Sequence, residues 1–444
     1  MRDSSSREDI LKKGFFWAVY GLLLVVVTLA SLEFIASFLT PPWPAYELRP
    51  TVASSTALRQ IKTLADTPKS IPSYNSWGLK DQERLVKRPA NINFRSVFVG
   101  DSFLEGSFNI TPVSELVAED WVKQGVRDRE AINLGVSATG PPQYYYRIKN
   151  VALRLQPDAI LEMFYSGNDF VPGRLSSWTT PPIIAERPEP SLLGAVAPNL
   201  DWLIVNRLGV SEFSRGNKSI PNEFDTLNDI AKRPFAERVG LLANHYKKYY
   251  YPNVSKAALE EVLGRGGAAF WVPFERTDDE HEFLQGWLFA GIIERELLHL
   301  DWPAPTDDAE AERLVDPSRI DDAVSWLVGA EKLAAAHGVK FVLAIAPMGS
   351  VDRRYSEYWK PWPRFYSYNL VCEAERRSLL AKLRQRGLQP IDLEMDLKGV
   401  KGTYRLTDGH WTELGTKIVA KRLAAQLLKV RGRPTVETSP TSQQ

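Results

Sequence analysis

The feature that most constrains this 444-residue chain is an uncharged apolar run near its N-terminus. No charged residue occurs from Phe15 to Leu32, and the apolar character continues past Glu33 to Leu39. This is close to the roughly 20 residues that a helix needs to cross a bilayer. A core helix of a soluble domain would need a polar face, which this run lacks. The run therefore predicts a transmembrane anchor over residues 15–39.

The distribution of basic residues predicts the orientation of this anchor. Lys12 and Lys13 stand directly before it, whereas the first basic residue after it is Arg49. Because basic residues favour the cytoplasmic side, residues 1–14 are expected in the cytoplasm and the rest of the chain outside, in a periplasm. A cleaved signal peptide is the alternative, but its apolar region is usually only about 7–15 residues long. We therefore expect a single-pass, uncleaved anchor in the inner (cytoplasmic) membrane.

The composition argues against several classes of function. Lysine and arginine (55) almost balance aspartate and glutamate (54), so the chain has no global positive field to attract nucleic acid. The only cysteine is Cys372, which excludes an intramolecular disulfide and any cysteine cluster for zinc or iron–sulfur. No two of the five histidines have the i, i+4 spacing of a metal-binding helix. We expect no metal, no cofactor and no nucleic-acid partner.

After the anchor, short apolar runs alternate with helical patterns. Buried strands are predicted at 96–99, 131–133, 159–164, 340–346 and 389–393. Helices are predicted at 112–124, 141–155, 321–337 and 411–430. Strands that are apolar throughout, rather than on alternate residues, favour a parallel sheet with helices on both faces.

One long region interrupts this alternation. Residues 172–317 carry no strand signal of comparable strength, and segments 224–249 and 281–299 have helical patterns, which predicts a helical insertion. The expected organisation is a linker at 40–90, the two halves of the sheet domain at 91–171 and 318–432, and a disordered tail at 433–444.

The residues next to the predicted strands carry the chemistry. Gly100-Asp101-Ser102-Phe103 follows the first strand, Gly135 the second and Gly167-Asn168-Asp169 the third, while Thr407-Asp408-Gly409-His410 precedes the last helix. Because the carboxyl ends of parallel strands meet at one edge of a sheet, these residues are expected to lie together.

Their types are those that acyl transfer requires. The reaction needs a nucleophile, a base, a group that orients the base, and donors for the oxyanion. Ser102 is the candidate nucleophile, His410 the base and Asp408 the orienting carboxylate. The backbone N–H groups of Ser102 and Gly135 and the side-chain amide of Asn168 are the candidate oxyanion hole.

The set resembles the SGNH, or GDSL-type, serine hydrolase family. Gly100-Asp101-Ser102-Phe103, Asn133-Leu134-Gly135, Gly167-Asn168-Asp169 and Asp408-Gly409-His410 match its four blocks, in the same order. The resemblance implies a flavodoxin-like three-layer α/β/α fold. It also implies hydrolysis or transfer of acyl groups from lipids, glycans or small esters.

Two positions depart from the family pattern. The family usually places its aspartate three residues before the histidine, where Thr407 stands, and usually has leucine where Phe103 stands. The shorter Asp-x-His-Trp arrangement resembles the branch of membrane-associated polysaccharide O-acetyltransferases of the alginate-acetylating type. Asp392 and Asp396 are therefore alternative orienting groups.

Each candidate also has a purely structural interpretation. Ser102 and Asp408 are residue types that cap the helices after them, and Asn168 is one that ties its own turn. Gly135 is a common turn residue. Asp101 and Asp169 are expected to organise their loops rather than to react.

An aromatic segment at 355–366 follows the fourth strand and is expected to be a loop. Trp359, Trp362 and Arg364 are its candidates for substrate binding, because flat rings suit sugars and arginine suits carboxylates. A packed lid, or a contact with the insertion, is the equal alternative.

Together these features predict a membrane-anchored serine esterase or O-acyltransferase, with acetyl as the favoured acyl group. The expected substrate is an extracytoplasmic carbohydrate or a small ester, processed through a Ser102-acyl intermediate. The anchor suggests work beside other envelope membrane proteins. The alternatives are a non-catalytic scaffold with a vestigial hydrolase fold and a lipid or thioester hydrolase.

Overall fold

A computed structural model describes most of the chain outside the predicted linker and tail. The described residues are 4–39, 75, 77, 79–106, 110–137, 139–170, 196–197, 199–200, 203–204, 223–276, 281–282, 284–300 and 303–432. The predicted linker from residue 40 to 74 and the predicted tail at 433–444 lie outside them.

The N-terminal helix α1 spans Ser4–Ser37. Its section Lys13–Ser37 has a mean hydropathy of 2.3 and is long and apolar enough to cross a membrane, and most of the side chains of this section are exposed. The section coincides with the run that predicts the anchor.

The core of the molecule is a five-stranded sheet in which all paired strands are parallel. The strands are β1 (Phe94–Gly100), β2 (Arg129–Gly135), β3 (Ala159–Tyr165), β4 (Lys340–Ala346) and β5 (Ile391–Asp392). Their order is β2-β1-β3-β4-β5, the doubly wound order of flavodoxin-like folds. The predicted strands and the fold class are confirmed.

Helices cover both faces of this sheet, and further helices lie in the insertion after β3. In chain order they are α2 (Ser102–Glu105), α3 (Val113–Lys123), α4 (Pro141–Asn150), α5 (Glu223–Ala231), α6 (Phe235–Tyr249), α7 (Lys256–Gly264), α8 (Gly267–Glu275), α9 (Gly286–Ile292), α10 (Asp308–Arg313), α11 (Pro317–Ala336), α12 (Arg353–Trp359), α13 (Pro363–Gln385), α14 (Glu394–Leu397) and α15 (Glu413–Leu428). Short 3₁₀ turns span Ala152–Leu155 and Gly349–Val351, and a π-helical turn, Ile293–Leu297, continues α9.

The alternate residues of β1 show how the layers are held. Phe94 and Phe98 pack with α3 and α15 on one face, while Val97 and Val99 pack with α4 and α11 on the other. All four side chains are buried, and each contributes roughly 1.5–3 kcal/mol of transfer free energy. The sheet is therefore a two-sided core, as its unbroken apolar strands predict.

The insertion is helical where it is described. Between β3 and α11, the described residues contain no strand. The predicted helix 224–249 is two helices, α5 and α6, because Pro234 interrupts the backbone hydrogen-bond pattern. Apolar residues of these helices join the core on the α3 and α15 face of the sheet.

One expectation about secondary structure is corrected. The aromatic segment 355–366 is not a loop, because it forms α12 and the start of α13, whose first residue is Pro363 in the position that proline favours. Residues before 91, the predicted start of the sheet domain, also contact the sheet. Lys80 and Asp81 are buried, and Asp81 Oδ2 accepts a 3.0 Å hydrogen bond from the backbone N–H of Asn133 in β2.

Candidate active site

Ser102 lies where β1 ends and the short helix α2 begins. The N-cap of α2 is Asp101, whose Oδ1 accepts a 2.9 Å hydrogen bond from the backbone N–H of Phe103. The interpretation of Ser102 as the cap of this helix is therefore wrong. Asp101 organises the turn, as expected, and leaves the hydroxyl of Ser102 for another partner.

That partner is His410. Its Nε2 lies 2.7 Å from Ser102 Oγ, although the two residues are 308 positions apart in the chain. With Nδ1 carrying the ring proton, Nε2 is the acceptor that can take the hydroxyl proton of Ser102. The two residues that the sequence pairs are thus brought into direct contact.

Asp408 contacts the same histidine from the other side. Its Oδ1 accepts a 2.9 Å hydrogen bond from the backbone N–H of His410, and its Oδ2 lies 3.3 Å from His410 Nδ1. The cap of α15 is Thr412 rather than Asp408. The alternatives Asp392 and Asp396 instead form ion pairs with arginines of α13 and α15.

The pKa shifts of Asp408 and His410 agree with their close contact. Burial lowers the pKa of His410, but the carboxylates of Asp408 and, to a smaller extent, Asp101 together more than offset this effect, and the pKa is raised overall. Burial acts to raise the pKa of Asp408, but His410 outweighs it and the pKa is lowered overall. Opposite shifts are those of an ion pair, so Asp408 stabilises the imidazolium that forms when His410 takes a proton.

The imidazole is also held by a ring. Phe103 stacks on His410 with ring centroids 4.8 Å apart and an interplanar angle of 28°. The same phenyl ring meets Trp411 edge-on at 4.7 Å. The phenylalanine that departs from the family's leucine is therefore in direct contact with the base.

The expected role of Gly135 as an oxyanion donor is not supported. Its N–H donates a 2.8 Å hydrogen bond to Asn133 Oδ1, so this donor already has an acceptor. A Cβ at position 135 would lie 2.4 Å from the backbone nitrogen of Glu105 and 2.6 Å from the carbonyl carbon of Leu104. Glycine is needed here because α2, the helix that begins with Ser102, packs against the end of β2.

Asn168 lies beside the nucleophile turn. Its Nδ2 is 3.4 Å from Asp101 Oδ2, a long contact, so the amide lies next to the turn that carries Ser102. Asp169 accepts hydrogen bonds from the backbone N–H of Tyr165 (2.8 Å) and from the Tyr144 hydroxyl (3.0 Å). Asp169 thus organises its loop, as expected.

A half-buried arginine that sequence reasoning missed supports the floor of the site. Arg147 on α4 donates to the carbonyl oxygens of Gly100 (2.9 Å) and Leu134 (3.0 Å) and to the hydroxyl of Thr139 (3.1 Å). These contacts tie together the carboxyl ends of β1 and β2. An arginine in an amphipathic helix carries no local signal for this role, because surface arginines occupy the same kind of position.

The aromatic candidates for substrate binding are placed in the interior. Trp359 and Trp362 are each only 1% exposed, and their indole N–H groups donate to the carbonyl oxygens of Leu406 (2.7 Å) and Val262 (2.8 Å). Arg364 Nε donates to the carbonyl of Arg295 at 3.0 Å. The two tryptophans present no face to a sugar, so the packed alternative describes them, and Trp359 supports the loop that carries His410.

Among the residues that the structure describes, no group of three or more histidine, cysteine, aspartate or glutamate side chains could hold a metal ion. The chemistry of the described site is that of a serine hydroxyl, an imidazole and a carboxylate.

The C-terminal part of the chain matches a known family. Residues 306–444 match the model of an SGNH hydrolase-like domain of the acetyltransferase AlgX. The match includes Asp408 and His410 and leaves Ser102 outside. No curated protein matches the chain.

Solved structures of esterases and lipases also align with the chain. An acetyl xylan esterase, AlAXEase, has 12% identity and a TM-score of 0.32, with coverage of 75% of this chain and 100% of that one. A lipase/acylhydrolase from Enterococcus faecalis has 11% identity and a TM-score of 0.28, covering 75% and 95%. A GDSL-like lipase from Bacteroides thetaiotaomicron has 11% identity and a TM-score of 0.28, covering 76% and 91%.

The motif blocks, the parallel sheet and the family match agree on one assignment. The resemblance read from the sequence is confirmed, and the match to AlgX is the same acetyltransferase branch that the Asp-x-His spacing suggests. Residues 306–444 are therefore similar to the SGNH hydrolase-like domain of an acetyltransferase, which supports an enzyme of the esterase and acetyltransferase kind.

Proposed function

We propose that this protein is a membrane-anchored serine O-acetyltransferase or acetylesterase that works through a Ser102-acyl intermediate on carbohydrate outside the cytoplasm. The observation that carries the proposal is the 2.7 Å contact between Ser102 Oγ and His410 Nε2. A vestigial fold kept for binding alone would have no need to maintain this contact.

The contact supports a two-step reaction. His410 takes the proton of Ser102 as Oγ attacks the ester carbonyl, and then gives that proton to the departing alkoxide, which leaves acyl-Ser102. An acceptor hydroxyl next gives its proton to His410 and attacks the acyl carbon, and Oγ recovers the proton when the new ester or acid departs. Asp408 stabilises the imidazolium in both steps.

The acyl group and the acceptor are separate parts of the proposal. Acetyl is favoured because the matching family model is that of an acetyltransferase. Both water and a sugar hydroxyl can accept the acyl group with the same three side chains, so access of water to acyl-Ser102 decides between them. We favour a sugar, since the predicted orientation places the domain where envelope carbohydrates offer many hydroxyl groups.

One contact favours an uncleaved anchor over a cleaved signal peptide. Glu33, near the C-terminal end of α1, accepts hydrogen bonds from the backbone N–H (3.0 Å) and the side-chain amide (2.6 Å) of Asn199. It also accepts one from the backbone N–H of Leu200 (2.9 Å). Removal of α1 would leave these insertion donors without this acceptor. The intact mass of the chain from membranes should include residues 1–39, and a mature chain that lacks them would contradict the anchor.

The test uses the full chain in detergent with a chromogenic acetyl ester. Ser102→Ala should lower kcat at least about a thousandfold without loss of folding, because the nucleophile is removed while the surroundings stay intact. Equal turnover by the two proteins would reject the proposal. Addition of oligosaccharide acceptors then separates the two activities, since only a transferase yields an acetylated sugar by mass spectrometry.

A further inference from the structure

The loop that carries Asp408 and His410 is held by a carboxylate from the helical insertion. Glu282 Oε1 accepts a 2.8 Å hydrogen bond from the backbone N–H of Leu406, and its Oε2 accepts a 2.7 Å hydrogen bond from the hydroxyl of Thr407. Glu282 is 5% exposed and Thr407 is 1% exposed, so both contacts are shielded from water. Hydrogen bonds to an ionised acceptor in such a setting are the strong ones.

Neighbouring contacts fix the same junction. The backbone N–H of Glu282 donates to the carbonyl of Pro273 on α8 at 3.0 Å, which anchors the carboxylate to the insertion. The Arg405 guanidinium donates to the carbonyl of His281 at 3.0 Å. On the catalytic side, the backbone N–H of Arg405 donates to the carbonyl of His410 at 2.7 Å. A continuous set of hydrogen bonds thus links the insertion to the base.

Thr407 shows why the loop of His410 depends on the contact with Glu282. Thr407 occupies the place at which related enzymes usually carry the aspartate, and its side chain points to Glu282 rather than to His410. The orienting carboxylate is instead Asp408, one residue closer to the histidine. The tighter Asp-x-His turn needs the preceding two residues held in place, and the insertion supplies the group that holds them.

We propose that Glu282 is a positioning residue of the proposed acyl transfer, which acts by fixing Leu406 and Thr407 so that Asp408 and His410 face Ser102. The helical insertion is therefore part of the active site and not an appended subdomain. This inference rests on the proposed function, because it assigns to Glu282 a role in the reaction of Ser102.

The pH dependence of kcat/KM gives a second test of the role of Glu282, because charged groups surround the loop. The titratable and charged groups near Glu282 are Asp408 and Arg405 on the loop and Tyr355 and Tyr358 on α12. The charged groups that shift the pKa of His410 are Asp408, Asp101 and Arg405. In Glu282→Ala, looser placement of Asp408 weakens its stabilisation of the His410 imidazolium. The acid limb of kcat/KM should therefore move to lower pH.

The experiment compares Glu282→Ala, Glu282→Gln and a matched control, Glu296→Ala, in the full chain with an acetyl ester. Glu296 is another buried carboxylate of the insertion, which accepts a 2.9 Å hydrogen bond from the backbone N–H of Phe365 in the sheet domain but lies outside the loop of His410. Glu282→Ala should lower kcat about 10- to 100-fold with KM changed by less than about threefold, since misplacement of a reacting group affects the transition state most.

The conservative variant separates positioning from packing. Glutamine keeps an acceptor for Leu406 and can exchange donor and acceptor roles with the Thr407 hydroxyl. Glu282→Gln should therefore recover kcat to within about fivefold of wild type and keep the acid limb close to that of wild type, because Asp408 stays in place. Glu296→Ala should lower thermal stability but leave kcat within about twofold. If kcat of Glu282→Ala stays within twofold, or if Glu296→Ala lowers kcat as much, the proposal is overturned.

If Glu282→Ala does not fold, two variants of Thr407 test the role of Glu282 instead. Thr407→Val removes only the hydroxyl donor and should lower kcat about tenfold, while Thr407→Ser, which keeps the hydroxyl, should restore it. A Thr407→Val enzyme with unchanged kcat would overturn the proposal. Ser102→Ala serves as the reference in each case: full activity in that variant would reject the proposed function itself, whereas an inactive Ser102→Ala with an active Glu282→Ala rejects only the role of Glu282.

Discussion

The two halves of the active site are held in place by different means. Ser102 stands at a junction of a parallel strand and a helix, where the backbone of β1, the cap from Asp101 and the close approach of α2 to Gly135 fix its position. His410 stands on an irregular loop, and side chains from distant parts of the chain, Trp359 among them, hold that loop. The nucleophile is thus positioned by local backbone structure and the base by tertiary contacts.

This difference predicts how each half responds to substitution. Changes that disturb backbone packing should affect the nucleophile half together with the stability of the fold. Changes in single side chains around the base should affect the rate and its pH dependence more than the stability. The following predictions test this contrast, from the largest expected effect to the smallest.

Asp408→Asn should lower kcat about 10³- to 10⁴-fold, because the amide cannot stabilise the imidazolium of His410. In the wild type, the raised pKa of His410 means that kcat/KM falls as the pH drops through a value above the ordinary histidine pKa of about 6.5. Without the carboxylate, this acid limb should move to lower pH. The measurement is the pH profile of kcat/KM with an acetyl ester.

Asp396→Asn is the matched control for this prediction. Asp396 is one of the alternative orienting groups, but it lies 3.5 Å from Arg422 on α15. Its substitution should leave kcat within about twofold. A large loss in Asp396→Asn with normal activity in Asp408→Asn would transfer the orienting role and contradict our account of the base half.

Gly135→Ala should combine a loss of stability with a loss of activity. The new methyl group would overlap the backbone of Leu104 and Glu105, so α2 must shift and move Ser102 with it. We expect a cost of about 1–3 kcal/mol in the free energy of unfolding and a fall in kcat of about 10- to 100-fold. Denaturant unfolding and ester turnover measure the two effects.

Gly329→Ala provides the contrast on α11. There the nearest atom to the new methyl group would be a ring carbon of Tyr145 at 3.6 Å, an ordinary contact, and alanine favours the helix. Stability should be unchanged or slightly higher and activity unchanged. If Gly135→Ala behaved in the same way, tight backbone packing would not be what positions the nucleophile.

The same contrast explains how far the sequence predicts this structure. The strands, their order of appearance and the block that contains Ser102 depend on apolar runs and local turns, and the structure contains them as predicted. Gly135 has a local signal too, but the sequence could not show that α2 would cover it and that Asn133 would accept its N–H. The pattern indicates the glycine, but the packing that requires a glycine at this position is seen only in the structure.

The contacts around the base half could not be predicted in this way. Trp359 and Trp362 have the composition of a sugar-binding surface, and only the packing of α12 and α13 against the insertion shows that they are buried. Arg147 and Glu282 carry no motif, because their roles depend on main-chain groups that other parts of the chain bring near them. Side chains that bind backbone atoms across a fold leave no spacing for a sequence to show.

The smallest effect is expected from Phe103→Leu, which introduces the residue usual in related enzymes. Loss of the stacked ring removes its attraction for the imidazolium, worth about 0.5–1 kcal/mol, so the acid limb should move to lower pH by less than about one unit. Phe98→Leu, a buried change on β1, should lower stability by a comparable amount and leave the pH profile unchanged. An unchanged acid limb in Phe103→Leu would show that the ring only packs.

The central claim is that Ser102 carries the acyl group during turnover. Its most direct test is mass spectrometry of the full chain, acid-quenched during turnover of an acetyl ester and then digested. We predict an acetyl group on the peptide that contains Ser102, and none on that peptide in Ser102→Ala. Sustained turnover with no acetylated Ser102 peptide, undiminished in Ser102→Ala, would contradict the account.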